Sequence, residues 1–296
     1  MKKLRPHLFV LSANLIYGAN YSIAKKAMPE FILPLGFVLV RVVFACLLFW
    51  VSAALVSEKQ KLRKEDFIRL ALCGLFGVAI NQLLFFAGLN LTVPINAALI
   101  MTTNPVLVLL IAHFLIREKI SFSKTAGIIL ALSGASLLIL SGGNSAFSMQ
   151  SAMGDLMVLI NSLSFAIFLV IVKPLMMRFH PLTVMKWTFL FGSVPVLFFG
   201  TGELMVARWA EMDFGLWLSV VYVILATTFL AYLFNIFALR ELDASQVSVY
   251  IYLQPLFAAM FSVLFGEGLP QRIHLITAMM IFAGIWFTHQ KAKSLI

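Results

Sequence analysis

Acidic residues are scarce in this chain. Asp and Glu number 12 in 296 residues against 22 Lys and Arg, and none of the acids falls deep inside an apolar run. That excludes the paired acidic motifs of polyprenyl chemistry, and it removes the carboxylate that a proton-driven antiporter ordinarily places in its pathway. The two cysteines, Cys46 and Cys73, lie within apolar runs, so neither a disulfide nor a thiolate metal site is expected. There is no Walker-type glycine loop, dinucleotide fingerprint, serine elbow or zinc-binding His-Glu pair; His113 and Glu118 stand five residues apart, the wrong spacing for one helix face. These absences predict no enzyme: no catalytic residue, no cofactor, no metal and no ATPase subunit. Long polar stretches are missing as well, which leaves no room for a soluble domain.

What fills the chain is apolar sequence. Hydrophobic residues make up 62% and charged residues 11%, with a mean hydropathy of +1.01. Only lipid is a suitable solvent for such a composition. The runs place ten helices at about His7–Ala27, Leu33–Leu55, Phe67–Gly88, Pro94–Ile116, Ser123–Leu140, Gly154–Pro174, Pro181–Phe199, Phe214–Phe237, Ala244–Phe265 and Arg272–His289. The basic head, Met1 to Arg5, opens like a signal peptide. Its apolar run ends in Lys25-Lys26 without a small-residue cleavage site, so it reads as a retained first helix.

The net charge of +10 is scattered over loops with no aromatic-basic surface, which argues against nucleic acid and for membrane orientation. On alternate loops, 16 Lys and Arg fall on the side of both termini. Four (Lys25, Lys26, Arg208 and Arg272) fall on the other side, and Arg41 and Lys186 lie within spans. By the positive-inside rule both termini are expected in the cytoplasm.

An offset of 148 to 150 residues overlays the second half on the first. LSANLIYGANYSIAKKAM from Leu11 matches LINSLSFAIFLVIVKPLM from Leu159, pairing Tyr17 with Phe165 and Lys25 with Lys173. FAGLNLTVPINAALIMTTNPVLVLL from Phe86 matches IFALRELDASQVSVYIYLQPLFAAM from Ile236, pairing Pro105 with Pro255, and Gly134 then meets Gly284. Near Glu118 and Glu267 the register slips by one. The halves are residues 1–141 and 154–296, joined by a loop at 142–153. Five spans in each make the repeat inverted, a recurrent plan for alternating-access carriers that is also compatible with a channel.

The segments LIYGANYSIAKK, LVRVVFACLLF, INAALIMTTNPVLVLLIAHFLIREKI, GDLMVLINSLSFAIFLVIVK and SVYIYLQPLFAAMFSVLFGEGL, in that order, resemble the EamA family of the drug/metabolite transporter superfamily. The resemblance covers nearly the whole chain and implies ten helices in two repeats, export of metabolites and a bacterial inner membrane. It departs from the family at Tyr17-Gly18, where Trp-Gly is common, so no substrate preference transfers from tryptophan-bearing relatives.

Polar side chains at membrane depth are expected to face the bundle interior. Asn14, Tyr17, Gly18 and Tyr21 form one stripe, repeated by Asn161, Ser164, Phe165 and Phe168. Gln82 pairs with Tyr232 and Asn104 with Gln254 through the repeat, and the last two each precede a proline. Pro105 and Pro255 disturb the carbonyls four residues back, at Met101 and Ile251, which makes them candidate gating points. The candidate cavity lining is thus Asn14, Tyr17, Tyr21, Gln82, Met101, Asn104, Asn161, Phe165, Tyr232 and Gln254. For each, helix-helix hydrogen bonding is an equal alternative. Arg41 reads as a structural clamp or as a ligand for an anionic group. Such a cavity suits zwitterionic or neutral amphipathic solutes such as amino acids, with lipid as the only other partner. Gly127, Ala131 and Ala135 form a small-residue stripe that can serve either packing within a monomer or a homodimer.

Overall fold

The computed structural model describes residues 4–24, 30–56, 61–92, 94–141, 149–264 and 272–290. All regular structure among them is helical. Six helical stretches are long and apolar enough to cross a membrane: Pro34–Leu55, Lys64–Leu91, Phe122–Leu140, Ala152–Met176, Pro181–Met205 and Phe214–Leu239. Asn104–Ile116 and Leu275–Thr288 are shorter apolar helices. Large apolar side chains such as Phe44, Val51, Phe114, Phe198, Phe199 and Phe214 point outward, more than half exposed. An outer surface of this kind is stable only against hydrocarbon. The chain is an integral, multi-pass membrane protein.

In chain order the helices are α1 (Arg5–Ala24), α2 (Pro34–Leu55), α3 (Lys64–Gly74), α4 (Asn81–Leu91), α5 (Pro94–Met101), α6 (Asn104–Ile116), α7 (Phe122–Ser141), α8 (Met149–Met176), α9 (Pro181–Met205), α10 (Phe214–Tyr222), α11 (Ala231–Leu239), α12 (Ala244–Ser248), α13 (Leu253–Leu264) and α14 (Arg272–Thr288). Four expected spans are not regular. The third and eighth each contain a π-turn, Leu75–Ile80 between α3 and α4 and Val223–Leu230 between α10 and α11. The fourth breaks at Thr102 and Thr103, and the ninth passes through a 3-10 turn at Val249–Tyr252. Those two interruptions lie just before Pro105 and Pro255, whose missing amide donors free the carbonyls one turn back. One further difference concerns the link between the halves. α8 begins at Met149, inside the stretch 142–153 read as loop, while 142–148 lie outside the described residues, as does Glu267.

Helix packing follows the repeat. α2 packs along α9 and α7 along α14, in each case a helix against its own counterpart. α4 against α8 is matched by α11 against α1, and α6 against α8 by α13 against α1. Glycine allows the closest approaches. A Cβ at Gly127 would lie 2.5 Å from the Gly284 carbonyl oxygen, and one at Gly284 would lie 2.6 Å from the Ala131 Cβ. The small-residue stripe of α7 is therefore used within the bundle, against α14.

Both ends are tied across the halves. At the basic end, Arg178 donates to both carboxylate oxygens of Asp66, at 2.7 and 3.3 Å. Lys124 Nζ stands 2.9 Å from both Glu118 and Asp243, and Lys173 Nζ donates to the carbonyls of Leu239 and Leu242, closing the C-terminal end of α11. At the opposite end, Glu203 Oε2 accepts from the amides of Leu35 and Gly36 at 2.6 and 3.1 Å, an anion seated on the first turn of α2. Thr92 donates to Asp155 at that same end.

Candidate functional site

A π-turn leaves backbone carbonyls out of register with their amides, and in hydrocarbon each needs a donor. In the first π-turn the donors are side chains from other helices. Ser164 Oγ of α8 donates to the Phe76 carbonyl at 2.6 Å, Asn161 Nδ2 donates to the Asn81 carbonyl, and the Tyr232 hydroxyl faces the Gly77 carbonyl at 3.0 Å and Asn81 Oδ1 at 3.2 Å. In the second π-turn the Thr228 hydroxyl donates to Val223 at 2.8 Å and Thr227 donates to Asn20 of α1 at 3.1 Å. The middle of the bundle is thereby built from π-turns buttressed by α1 and α8.

The repeat pairs come together there. Gln82 Nε2 donates to the Tyr232 hydroxyl at 3.3 Å, so two residues at equivalent places in the halves touch each other. Asn104 Nδ2 donates to the Ser162 carbonyl of α8 at 2.7 Å, and Gln254 Nε2 donates to Asn14 Oδ1 of α1 at 2.9 Å. Because the 148-residue offset sets Asn14 on Ser162, these two contacts occupy equivalent places as well. Asn14 also donates to the Val10 carbonyl at 2.8 Å. Asn14, Gln82, Asn104, Asn161 and Tyr232 are all at most 5% exposed. Tyr17, Met101, Phe165, Gln254 and Pro255 are half-buried and Pro105 is buried; the side chain of Tyr21 lies outside the described residues.

Donors are used up more fully than acceptors. Gln82 Oε1, Asn104 Oδ1 and Asn161 Oδ1 are buried with no hydrogen-bond partner among the described residues. A buried amide oxygen left so costs about 1–3 kcal/mol. Asn104→Leu should cost roughly 1 kcal/mol, since it removes the bond to Ser162 and its own orphan oxygen together. The melting midpoint in detergent should fall by a few degrees, and an unchanged midpoint would show that the bond to Ser162 contributes nothing to stability.

Arg41 enters this region from α2, the eighth residue of the 22-residue helix and nearer to its middle than to its start. It is 4% exposed; Nε donates to Thr228 Oγ1 at 2.9 Å, and Cζ stands 4.9 Å over the Phe86 ring. No Asp or Glu pairs with it among the described residues. A charge at this depth costs roughly 3 kcal/mol by insertion scales, and one neutral hydrogen bond with a cation–π contact offsets part of that. Lys186, by contrast, lies 4.8 Å over Trp50 near the start of α9 and is half-buried. His113 is exposed and the side chain of His274 lies outside the described residues. A cluster of another kind joins α1 to the second half. The His7 ring meets the Tyr250 hydroxyl at 2.8 Å and stacks edge-on to His289 at 4.8 Å. The π-turns and this cluster carry no hydropathy signal, because their partners are distant in sequence. Among the described residues no group of His, Cys, Asp and Glu is arranged for a metal ion.

The family model described as the EamA-like transporter family matches the chain twice, at residues 4–140 and 152–289. An uncharacterized transporter, YyaM, of Bacillus subtilis (strain 168) is 26% identical over 293 residues, covering 96% of this chain and 93% of that protein. A probable terminal-alkyne amino-acid exporter of Streptantibioticus cattleyicolor is 24% identical over 233 residues, covering 77% and 75%. One solved crystal structure superposes with a TM-score of 0.80 at 18% identity, covering 98% of each chain, which is a likeness of fold.

Proposed function

Since the chain belongs to the EamA-like transporter family, we propose that it is a secondary transporter exporting small polar or amphipathic metabolites, amino acids among them, by alternating access. It crosses a bacterial inner membrane ten times, as two inverted five-helix units at residues 1–141 and 154–296, with both termini in the cytoplasm. It runs no chemical reaction and needs no ATPase partner.

The observation that carries this reading is the self-matching of contacts. Gln82 meets its own counterpart Tyr232, and Asn104 with Ser162 is mirrored by Gln254 with Asn14. Halves that make equivalent contacts can exchange their arrangements at little cost, which moves a central site from one face to the other. The ties at the two ends must then break in turn. The amides, hydroxyls and aromatic rings of the centre suit neutral or zwitterionic solutes, and the name of the Streptantibioticus relative supports export of an amino acid.

Proteoliposomes loaded with labelled L-alanine, L-leucine and L-phenylalanine should show saturable efflux and counterflow without ATP. Step-like conductance in planar bilayers, or no flux of any neutral or amphipathic metabolite, would overturn the proposal. A reporter fused after Ile296 should be active in the cytoplasm.

A further inference from the structure

Two imidazoles meet where the start of α1 reaches the second half. His7 lies in the first turn of α1, His289 directly follows α14, and Tyr250 belongs to the 3-10 turn ahead of Pro255. The two His rings are edge-on at 4.8 Å, and Tyr250 touches both: its hydroxyl is 2.8 Å from His7 Nδ1 and its ring is edge-on to His289 at 5.6 Å. The proton positions on His289 follow from its partners. Nδ1 stands 2.7 Å from the Ile285 carbonyl, which can only accept, so Nδ1 carries a hydrogen and the neutral ring holds a bare lone pair at Nε2. That Nε2 is buried with no partner among the described residues. A proton arriving there creates a cation whose new N–H has nothing to donate to, edge-on to a second imidazole.

The charges around the pair do not prepare it for that proton. Glu241, after α11, acts on His7 but is exposed, and α1 itself adds the exposed Arg5. Asp243, before α12, and Lys124, of α7, act on His289 with opposite signs and pair with each other at 2.9 Å. The helices α11, α12 and α13 and the 3-10 turn carry no charged residue. Among the described residues no carboxylate pairs with either ring. The offsets that relate the halves set His7 on Asp155, Tyr250 on Ile100 and His289 on Ile139. The helices recur at the opposite end and the imidazole pair does not.

We propose that His7, Tyr250 and His289 form a pH-sensitive latch on the basic end of the bundle, closed while both rings are neutral and released when His289 Nε2 takes a proton. The latch joins α1 of the first half to α14 and the 3-10 turn of the second, so its release frees the halves to part at that end. Opening brings water to Nε2, and the open form therefore binds the proton that the closed form has no place for. The closed form is then at full strength above the ordinary imidazole pKa of about 6.5 and weakens as pH falls below it. That the end concerned faces the cytoplasm rests on the transporter reading above; on that reading a fall in cytoplasmic pH favours the form open to the cytoplasm.

Hydrogen–deuterium exchange of the full-length protein in lipid nanodiscs, each rate divided by the intrinsic rate at the same pH, reads this opening without a substrate. From about pH 7.5 to about pH 5.5, peptides covering Val249–Tyr252 and 285–290 should come to exchange about tenfold faster, the gain for one proton bound by the open form alone. Peptides covering Leu35 and Gly36, at the opposite end, should not change. His289→Gln should bring the ratio to about one. His7→Phe, which removes the bond to Tyr250 and leaves His289 in place, should raise exchange at both pH values and keep the ratio. His113→Phe, at an exposed ring, should alter neither. A ratio of about one in the unaltered protein overturns the proposal, as does a rise shared by the opposite end; neither comparison needs a variant that folds. A tenfold ratio that survives His289→Gln overturns it too. Opening with acid in a protein that moves no solute keeps the latch and removes the transporter reading, while saturable efflux with pH-independent exchange does the reverse.

Discussion

Replacing Lys124 by Met is expected to cost the bundle about 3 kcal/mol and to loosen the basic end first. The ammonium stands 2.9 Å from Glu118 Oε1 and 2.9 Å from Asp243 Oδ2. The Lys124 and Glu118 side chains are 12% and 6% exposed, so water replaces little of what the substitution removes. Glu118 follows α6, Lys124 begins α7 and Asp243 precedes α12, and Ser245 at the start of α12 donates to the same Glu118 oxygen. Three segments from both halves therefore meet at one cation. Without it, a carboxylate whose other oxygen has no partner among the described residues lies buried near a second carboxylate. A detergent melting curve should move down by several degrees, and a cysteine placed at Gln246 should react faster with a membrane-impermeant maleimide, Cys46 and Cys73 both being buried. Glu211→Gln is the control. Its pair with Arg208 is about half exposed on both sides, and such pairs are worth at most about 1 kcal/mol. A Lys124→Met protein that melts with the control and labels no faster would show that this cluster does not hold the end closed.

Gly74→Leu should abolish folding outright. A Cβ at Gly74 would sit 2.6 Å from the Gly192 nitrogen and 2.6 Å from the Thr188 carbonyl oxygen, and a Cβ at Gly192 would sit 2.7 Å from the Gly74 carbonyl oxygen. The obstructing atoms are backbone, so no rotamer change relieves the clash; α3 and α9 would have to separate. Gly74 also directly precedes the first π-turn, and displacement of α3 would carry the carbonyls of Phe76 and Gly77 away from Ser164 and Tyr232. Even Gly74→Ala should lose about 2 kcal/mol by overpacking. Gly202→Ala, in the same α9, meets nothing within 4 Å and should be neutral or gain up to about 1 kcal/mol from helix propensity. Size-exclusion profiles of solubilised membranes read the difference: no folded peak for Gly74→Leu, and an unchanged one for Gly202→Ala. A sharp peak for Gly74→Leu would show that α3 and α9 can part without loss of the fold.

Several parts of the candidate site are legible before any coordinates. Pro105 and Pro255 announce breaks, and the structure has them at Thr102 to Thr103 and at Val249–Tyr252. The pairing of Gln82 with Tyr232 follows from the offset alone, although alignment cannot say that equivalent residues touch; that depends on their lying where the halves meet. Asp66 with Arg178, 112 positions apart, and Glu203 on the amides of α2 are invisible in one dimension because neither has a local spacing rule. The stripe of Asn14 and Asn161 is visible as polarity at helical period. Its use in holding Gln254 and the Asn81 carbonyl is not.

By itself the sequence determined the solvent and the secondary structure. With 62% hydrophobic residues most backbone donors and acceptors must be satisfied within helices, so the apolar runs predict where the helices fall. It determined the repeat too, because duplicated segments keep their order and spacing. Only the tertiary structure decided which polar groups are spent on packing and which are left over. Hydrogen bonds at membrane depth are satisfied between helices far apart in the chain, so whether an Asn is structural or an Arg lacks its anion depends on what the other half brings within 3 Å of it.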